Sequence, residues 1–453
     1  MKKLQILGGF LLAGLLASSA SARDRDAVVG ASGEIYVVQF GTYGQLFPDA
    51  SPGEAGDHIL ALDIIKPDQP LVRLPVPGTR NTSVVGKPAL VYEDDSRTVL
   101  LVWENKVDEI HSSLMTAAFN SSGWTQPIEL TGRDHFSPTR EPQVAITRDS
   151  YRERRADGGV IIRHRTFMHV LWEEEADFGA FATFYIPVIL EEGVQLKANP
   201  LYNLNALIPP GAPATSFETP PELIRSPALQ NGSEARAVVA AFSSAATRRV
   251  FTLVIEALPE DLGRLAEKTR SVIIDLGARL YPGNVRGLAE QTKAFILSQE
   301  TEFQPEIIQA IADRAWQQVQ AGNSQGLSSL AESTRSVIID LGARLTGRRP
   351  PGGTAKLAEI PRQEDASSLP PYLLQFRLVS SRPAPRLGNG NEEVKVFTSA
   401  TGEDLLVAWT ENDRIRYRES DQGGWSEYRE TGITGDITKS RAFEILEQRV
   451  HNR

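Results

Sequence analysis

The sequence predicts a mainly β fold: a β-propeller of about five four-stranded blades (six in the alternative) with an α-helical insertion. Two observations lead there. A hydrophobic hairpin closed by an aromatic residue recurs from Pro88 to Trp103, Pro142 to Trp172, Pro227 to Phe242 and Val394 to Trp409, and a fifth match runs from Gly33 to Phe40. Three of the first four spacings are identical, and the one from Pro142 is longer by an Arg-rich stretch. The apolar period then changes from two to about 3.6 between Glu256 and Leu345, where the chain becomes rich in Ala, Leu, Glu, Gln and Arg.

Taken in order, the chain opens with Lys2 and Lys3, an apolar run from Leu4 to Ala17, and the small residues Ala20-Ser21-Ala22. That pattern predicts a secretory signal peptide over residues 1–22, with the mature chain starting near Arg23. Its apolar core is short for a membrane span and no later segment supplies one, so the mature chain is expected to be soluble, in the periplasm or outside the cell. The absence of cysteine excludes disulfides, thiolate metal sites, a cysteine nucleophile and a lipidated N-terminal cysteine. A mature chain of about 430 residues buries an ample core without disulfides. A net charge of −9 argues against nucleic acid as a general partner, because phosphate binding needs a basic surface.

The first unit covers Gly33 to Phe40, Ile59–Ile65 and Leu71–Leu74. In the second, Lys87–Val91 opens as a strand, Asp94-Asp95-Ser96 turns, and Val99–Trp103 is an apolar run suited to burial on both faces. A third strand around Ile110–Phe119, the turn Ser121-Ser122-Gly123 and a strand led by Trp124 complete it. The third unit runs from Pro142 through Trp172 to Phe181–Leu190, and the fourth from Pro227 through Phe242 to Val250–Ile255. The last has strands at Val394–Ser399, Leu405–Trp409, Ile415–Arg418 and Trp425–Arg429.

Blades one to four therefore occupy residues 23–256, the insertion 257–345, the rest of the propeller 346–435, and a C-terminal tail 436–453. In the insertion, Leu262, Leu265, Thr269, Val272, Leu276 and Leu280 share one helical face. The segment Leu265–Leu280 recurs at Leu330–Leu345 with one difference, Lys268 against Ser333, and Leu288–Lys293 starts a weaker third copy. Ser329 and Glu332 fit a capping box. Three or four helices packed on one another bury such repeated faces without a partner, while a partner protein, a dimer contact or a membrane surface would be the other outlets. After the linker Arg348–Gly353, Tyr372–Val379 is expected to be the outer strand of the interrupted fourth blade.

The turns Ser121-Ser122-Gly123-Trp124 and Ser420-Asp421-Gln422-Gly423-Gly424-Trp425 resemble the Asp-box turns of the sialidase-type propellers, which join the third and fourth strands of a blade. The resemblance implies a site in which three arginines grip a carboxylate beside a Tyr/Glu nucleophile pair and an Asp acid/base. One such arginine lies in an Arg-Ile-Pro motif that this chain lacks. Arg140-Glu141-Pro142 and Arg225-Ser226-Pro227 instead place an Arg two residues before the Pro that is read as opening an inner strand. The catalytic set is not recognisable, so the catalytic residues are unknown and an enzyme is the less favoured reading.

Entry turns of first strands and exit turns of second strands share one rim of a propeller, which groups Arg140 and Arg225 with Glu104, Glu173 and Glu411. Two guanidiniums could bind a carboxylate there and the carboxylates could hold sugar hydroxyls or do acid/base work; solvated charges paired with each other are the plain alternative. The stretch Arg148–Arg165, with Arg152, Arg154, Arg155, Arg163 and His164, is read as a loop on the opposite face, either a solvated hairpin or a seat for an anionic polymer. Gly322-Asn323-Ser324-Gln325-Gly326 matches a nucleophile elbow in letters only, since it lies between two helices rather than after a strand, and Gly322 reads as a helix C-cap. The six histidines are scattered, no metal site is expected, and no cofactor motif is present. The function expected is a non-catalytic binding or scaffolding module for carbohydrate or another envelope protein; the alternative is a divergent sialidase-like glycosidase or acidic-carbohydrate-binding protein.

Overall fold

The computed structural model describes residues 25–450 apart from short gaps and the longer segments 132–139, 209–221, 226–236, 346–372 and 436–444. The signal-peptide segment, Pro227 and the Arg348–Gly353 linker lie outside the described residues. The protein is mainly β, built as five antiparallel sheets. The first contains β1 (Arg25–Val29), β2 (Ile35–Thr42), β3 (His58–Ile65) and β4 (Val72–Pro75). The second is β5 (Ser83–Glu93), β6 (Thr98–Lys106), β7 (Ser112–Asn120) and β8 (Gly123–Trp124), with β9 (Ile128–Glu129) added to β7. The third is β10 (Arg140–Arg154), β11 (Val160–Asp177), β12 (Ala180–Glu191) and β13 (Gln195–Ala198), with β14 (Tyr202–Asn203) on β12.

The fourth sheet runs β15 (Glu222–Arg225), β16 (Ala237–Ser244), β17 (Arg249–Leu258) and β18 (Leu373–Pro383). Strand β18 pairs along the whole of β17, from Leu258 opposite Leu373 to Arg249 opposite Pro383, so it closes the interrupted sheet instead of forming a sixth. The fifth sheet has β19 (Val394–Thr398), β20 (Leu405–Glu411), β21 (Arg414–Asp421) and β22 (Gly424–Trp425), with β23 (Arg429–Thr434) on β21. Its Asn412-Asp413 turn carries φ of 51° and 61°, the left-handed pair that a two-residue hairpin matching strand twist requires.

The sheets pack face to face in chain order. Alternate residues of β6 separate cleanly: Val99, Leu101 and Trp103 enter a core with Val38, Leu60 and Leu62 of the first sheet, whereas Leu100 and Val102 enter one with Met168, Val170 and Trp172 of the third. This explains the unbroken apolar runs, because a strand between two sheets has no solvent face. Phe167, Leu171 and Tyr185 meet Val238, Ala240 and Phe242 between the third and fourth sheets, and Ala241 and Val250 meet Val396, Leu405 and Val407 between the fourth and fifth. The first strands follow the same succession: β1 lies against β5, β5 against β10, β10 against β15, and β15 against β19.

The two outer faces of the series are each covered by a chain segment. On the first sheet, Leu46 of the one-turn helix Tyr43–Leu46 packs with Ile59 and Ala61, joined by Tyr43 and Phe47. On the fifth, Leu446 and Val450 of the C-terminal segment are buried against Phe397, Leu406, Ala408 and Tyr417, and Arg449 pairs with Glu419. The tail is thus part of the fifth sheet's core. Among the described residues no hydrophobic cluster joins the fifth sheet to the first.

The aromatic residues Trp103, Trp172, Phe242 and Trp409 are all fully buried. Trp103, Trp172 and Phe242 each face the preceding sheet. Phe40 faces the following sheet, so the match from Gly33 is displaced by one residue, and a one-residue slip exchanges the two faces of a strand. Strand β1 precedes the predicted first unit altogether. In the fourth unit the inner strand β15 lies upstream of Pro227, not after it, and Glu222 is opposite Ala241.

Four helices leave the end of β17: α1 (Glu260–Leu280), α2 (Val285–Ser298), α3 (Pro305–Ala321) and α4 (Leu327–Leu345). They form a bundle with two cores of their own, one around Leu262, Leu265, Ile308, Ile311 and Ile338, the other around Ile273, Leu288, Val319 and Leu330. Val272 and Val337 are half-buried where Ile273 and Ile338 are fully buried. Gly322 caps the C-terminus of α3, with its N–H on the Val319 carbonyl, as the rejection of the elbow motif implies. Because α4 begins at Leu327, Ser329 lies within its first turn and the predicted capping box is not the start of the helix; Glu332 instead pairs with Arg270 and Arg335.

The duplicated segments in α1 and α4 meet reciprocally. Arg270 pairs with Glu332 at 2.9 Å and its counterpart Arg335 pairs with Glu267. A Cβ added to Gly277 would lie 2.2 Å from Leu327 Cδ1, and one added to the equivalent Gly342 would lie 2.3 Å from Leu262 Cδ1. Thr269 and Thr334 hydrogen-bond the Leu265 and Leu330 carbonyls at 2.7 and 2.8 Å. Residue i of one copy touches j of the other while j touches i, the signature of a local two-fold axis. The motif extends to all four helices, as Leu265-Ala266-Glu267, Leu288-Ala289-Glu290, Ile311-Ala312-Asp313 and Leu330-Ala331-Glu332. Its Leu or Ile and Ala are buried in every case, and Lys293 of α2 pairs with Asp313 of α3 as Arg270 pairs with Glu332.

Candidate functional site

Of the predicted rim, Arg140 stands opposite Glu173 across β10 and β11, one residue beyond Trp172. Glu104 follows Trp103 in the same way and faces Val85 and Leu114. Both carboxylates are strand residues at 2% and 3% exposure, not solvated turn charges, because their strands are covered on both sides. Glu411 is also buried and is held by Arg416, which reaches Glu430 at 3.0 Å, an ion-pair ladder across β20, β21 and β23. Arg225 is opposite Val238, at the end of its hairpin remote from Phe242, whereas Arg140 is at the aromatic end of its own. The two arginines therefore occupy opposite ends of their hairpins and do not form the expected pair. The shift of β15 to before Pro227 is the reason.

The Arg-rich stretch is a β-arm, not a loop. The β10–β11 ladder continues through Ser150 opposite His164 and Tyr151 opposite Arg163 to Arg154 opposite Val160, while Arg155 lies outside the described residues. At its base, Arg148 crosses to the second sheet and pairs with Glu93 and, at 2.8 Å, with Asp95. Burial alone would raise the Glu93 carboxyl, but hydrogen bonds from Ser96 and the Arg148 charge hold it below its ordinary value.

His169 lies in the interior of the third sheet, with Nε2 2.6 Å from Thr147 Oγ1 and Nδ1 2.7 Å from the Tyr185 hydroxyl. Burial without a counter-charge pushes its pKa down to about 3, so it is a neutral strut between strands. Among the described residues no cluster of His, Asp and Glu suits a metal ion, and no helix is long and apolar enough to cross a membrane.

Sequence reasoning passed over a cleft of about 540 Å³ between the first two sheets, lined by Glu34, Tyr36, Ile64, Lys66, Arg97, Phe119 and the turn Asn120–Gly123. Four tight turns build it. Gly33 with φ 87° brings the chain round to Glu34, and an added Cβ at Gly30 would lie 2.7 Å from Glu34 Cδ, so the glycine makes room for that carboxylate. Lys66 leads the turn containing Asp68 at φ 58°, and Arg97 itself sits at φ 53°. The Asn120 side-chain oxygen accepts from Ser122 N at 2.8 Å, closing the turn between β7 and β8. Tyr36 stacks on Tyr92 with ring centroids 5.6 Å apart and its hydroxyl donates to Glu34 at 3.3 Å. Burial, then the Glu34 charge, push the Tyr36 phenol up to about 12, so it remains a donor. The available signal in the sequence was the run of polar turns at one end of two adjacent units, each beside an aromatic residue.

No family model matches the chain, and no curated protein matches it. Among solved structures it is similar to a crystal structure of a protein of unknown function from Dyadobacter fermentans DSM 18053, at 10% identity over 53% of this chain and 91% of that one, with a TM-score of 0.19. A likeness at that score bears on neither fold nor function.

Proposed function

We propose that the chain is an exported, non-catalytic binding or scaffolding module, in which five sheets are arranged as the blades of a propeller and the helical bundle is the element offered to a partner. The observation that carries the non-catalytic part is the fate of the rim: Glu104 and Glu173 are buried in strands, Glu411 is committed to Arg416, and Arg140 and Arg225 lie at opposite ends of their hairpins. No carboxylate of that set is left exposed beside a paired guanidinium clamp. The blade reading rests on the succession of first strands and on the alternate-face packing. The outer faces of the first and fifth sheets are each covered by a chain segment of their own, and no shared strand joins the two sheets among the described residues. Export to the periplasm or cell exterior rests on the leader pattern of the sequence.

The bundle supports the scaffolding role because its cores contain only its own residues, so its outer surface is not needed to complete the sheets. Photo-crosslinking in the native cell envelope tests this, comparing the full chain with a variant in which Leu258 is rejoined to Leu373. A discrete crosslinked partner that disappears with the bundle is expected. Turnover of a sialoside or other acidic glycoside by the purified chain would overturn the reading.

A further inference from the structure

We infer that the cleft between the first two sheets is a binding site for a small ring-bearing anion, a carboxylate or phosphate attached to a flat apolar group. This goes beyond the module reading, because it requires neither the bundle nor export, and it fails separately from it.

The argument begins with an imbalance of hydrogen-bonding groups. Around the cleft, the side-chain donors are the Lys66 ammonium, the Arg97 guanidinium, the Asn120 amide and the hydroxyls of Ser121 and Ser122. The Asn120 oxygen is already occupied by Ser122 N, which leaves its NH₂ as the free function. The one carboxylate, Glu34, is buried at the base and accepts from Tyr36. A lining with many donors and a single occupied acid fits an acceptor-rich ligand.

Charge points the same way. In a chain of net charge −9, other arginines of the first three sheets have acidic partners: Arg73 has Asp63, Arg80 has Glu54 and Asp57, and Arg148 has Glu93 and Asp95. Lys66 and Arg97 are both exposed at the mouth of the cleft, and neither has a carboxylate within ion-pair distance among the described residues. Two free cations against one buried acid give the site a surplus of one positive charge, which a monoanion neutralises.

The walls select the rest of the ligand. Tyr36, Ile64 and Phe119 supply apolar surface, and Phe119 is backed by Trp124 with ring centroids 5.1 Å apart. The space of about 540 Å³ is ample for a single ring with its anionic group. Aromatic backing and a cationic mouth orient such a molecule with its ring inward and its charge toward Lys66 and Arg97.

The test uses the full chain, with fluorobenzoate and fluorophenyl phosphate as probes followed by fluorine NMR line broadening at low salt, and fluorobenzyl alcohol as the neutral control. Saturable binding of an anion and at least tenfold weaker binding of the alcohol are expected, and the stronger of the two anions identifies carboxylate or phosphate as the preferred group. Lys66→Ala and Arg97→Ala should each weaken binding by about fivefold, near the upper end for an exposed ion pair. Glu34→Gln removes the one acid of the lining and should tighten binding, and Arg286→Ala in the distant bundle should have no effect. Both cations are exposed and unpaired, so neither variant threatens folding; unchanged melting temperatures verify that. Equal binding of the alcohol, no saturable binding by either anion, or indifference to both cation substitutions would each overturn the proposal.

Discussion

Acidification puts a number on the burial of His169. The folded protein keeps this imidazole neutral down to about pH 3, while the unfolded chain titrates it near its ordinary value of 6.5. Between those values the unfolded state binds more protons, so stability falls as pH falls; above pH 6.5 the group has no effect on the pH dependence. The slope is about 1.4 kcal/mol per pH unit, and the full span amounts to roughly 5 kcal/mol. Burial is the sole cause of the shift, and the two neighbours of the ring, Thr147 and Tyr185, are neutral partners that give no help to an imidazolium. Urea midpoints followed by the β-sheet circular dichroism signal, from about pH 7 to about pH 4, would measure this for the native chain and for His169→Gln. The variant loses about 1 to 3 kcal/mol at neutral pH from imperfect hydrogen bonding, but its dependence on pH should be shallower by about 1.4 kcal/mol per unit. Carboxylates such as Glu93, whose depressed pKa also removes stability in acid, contribute equally to both and cancel in the difference. Parallel pH dependences for the two proteins would refute the reasoning, since His169 would then be free to titrate in the folded state.

Further outcomes follow from the packing. Gly342→Ala should destabilise the bundle by about 1 to 2 kcal/mol in thermal melts, because the facing Leu262 is fully buried and cannot yield, while Gly277→Ala should be nearly neutral, because Leu327 is half-buried and helix propensity favours Ala. Trp172→Ala removes a buried indole whose N–H reaches Glu174 at 2.7 Å and should cost about 3 to 5 kcal/mol in urea unfolding. Removal of the bundle, with Leu258 rejoined to Leu373, should leave a folded β protein by circular dichroism; global unfolding would mean that the helices are part of the sheets' core. If an acidic sugar does bind at the Trp172 end of the third sheet, Arg140→Ala should weaken it by about 1.5 to 3 kcal/mol and Arg225→Ala should not, and calorimetry reads the difference.

The parts of the fold that were legible before the structure are those written in periodicity. Val99–Trp103 and Leu405–Trp409 are continuous apolar runs because both of their faces are covered, and the change to a helical period marked the bundle to within a few residues. Strand β18 was readable as the return of the fourth sheet. Where the letters misled, a local cue stood in for a pairing that only tertiary contact decides. Pro227 looked like the opening of a strand, but the four residues of β15 before it carry the ladder. Phe40 matched the closing aromatic of the repeat and faces the other way. The charges of Arg152, Arg154 and Arg163 read as a loop, yet cross-strand pairing extends through them. The rim failed for the same reason, since burial of Glu104 and Glu173 depends on neighbouring sheets that no local pattern specifies. The cleft depends on two units meeting at their turns, which the order of residues along one unit does not encode.

The reciprocal contact between α1 and α4 makes the bundle a dimer folded into one chain. Each helix presents the surface that its own copy recognises, so the same helix on another molecule is an equally good mate. What keeps the pairing internal is tethering, which holds the two copies at an effective concentration in the millimolar range. A chain that emerges with α1 formed and α4 still unmade passes through an interval in which exchange with a neighbour is open, and high local concentration of chains favours that exchange. The duplication that gives the bundle its two-fold core is thereby also the feature through which exchange of helices between chains would run.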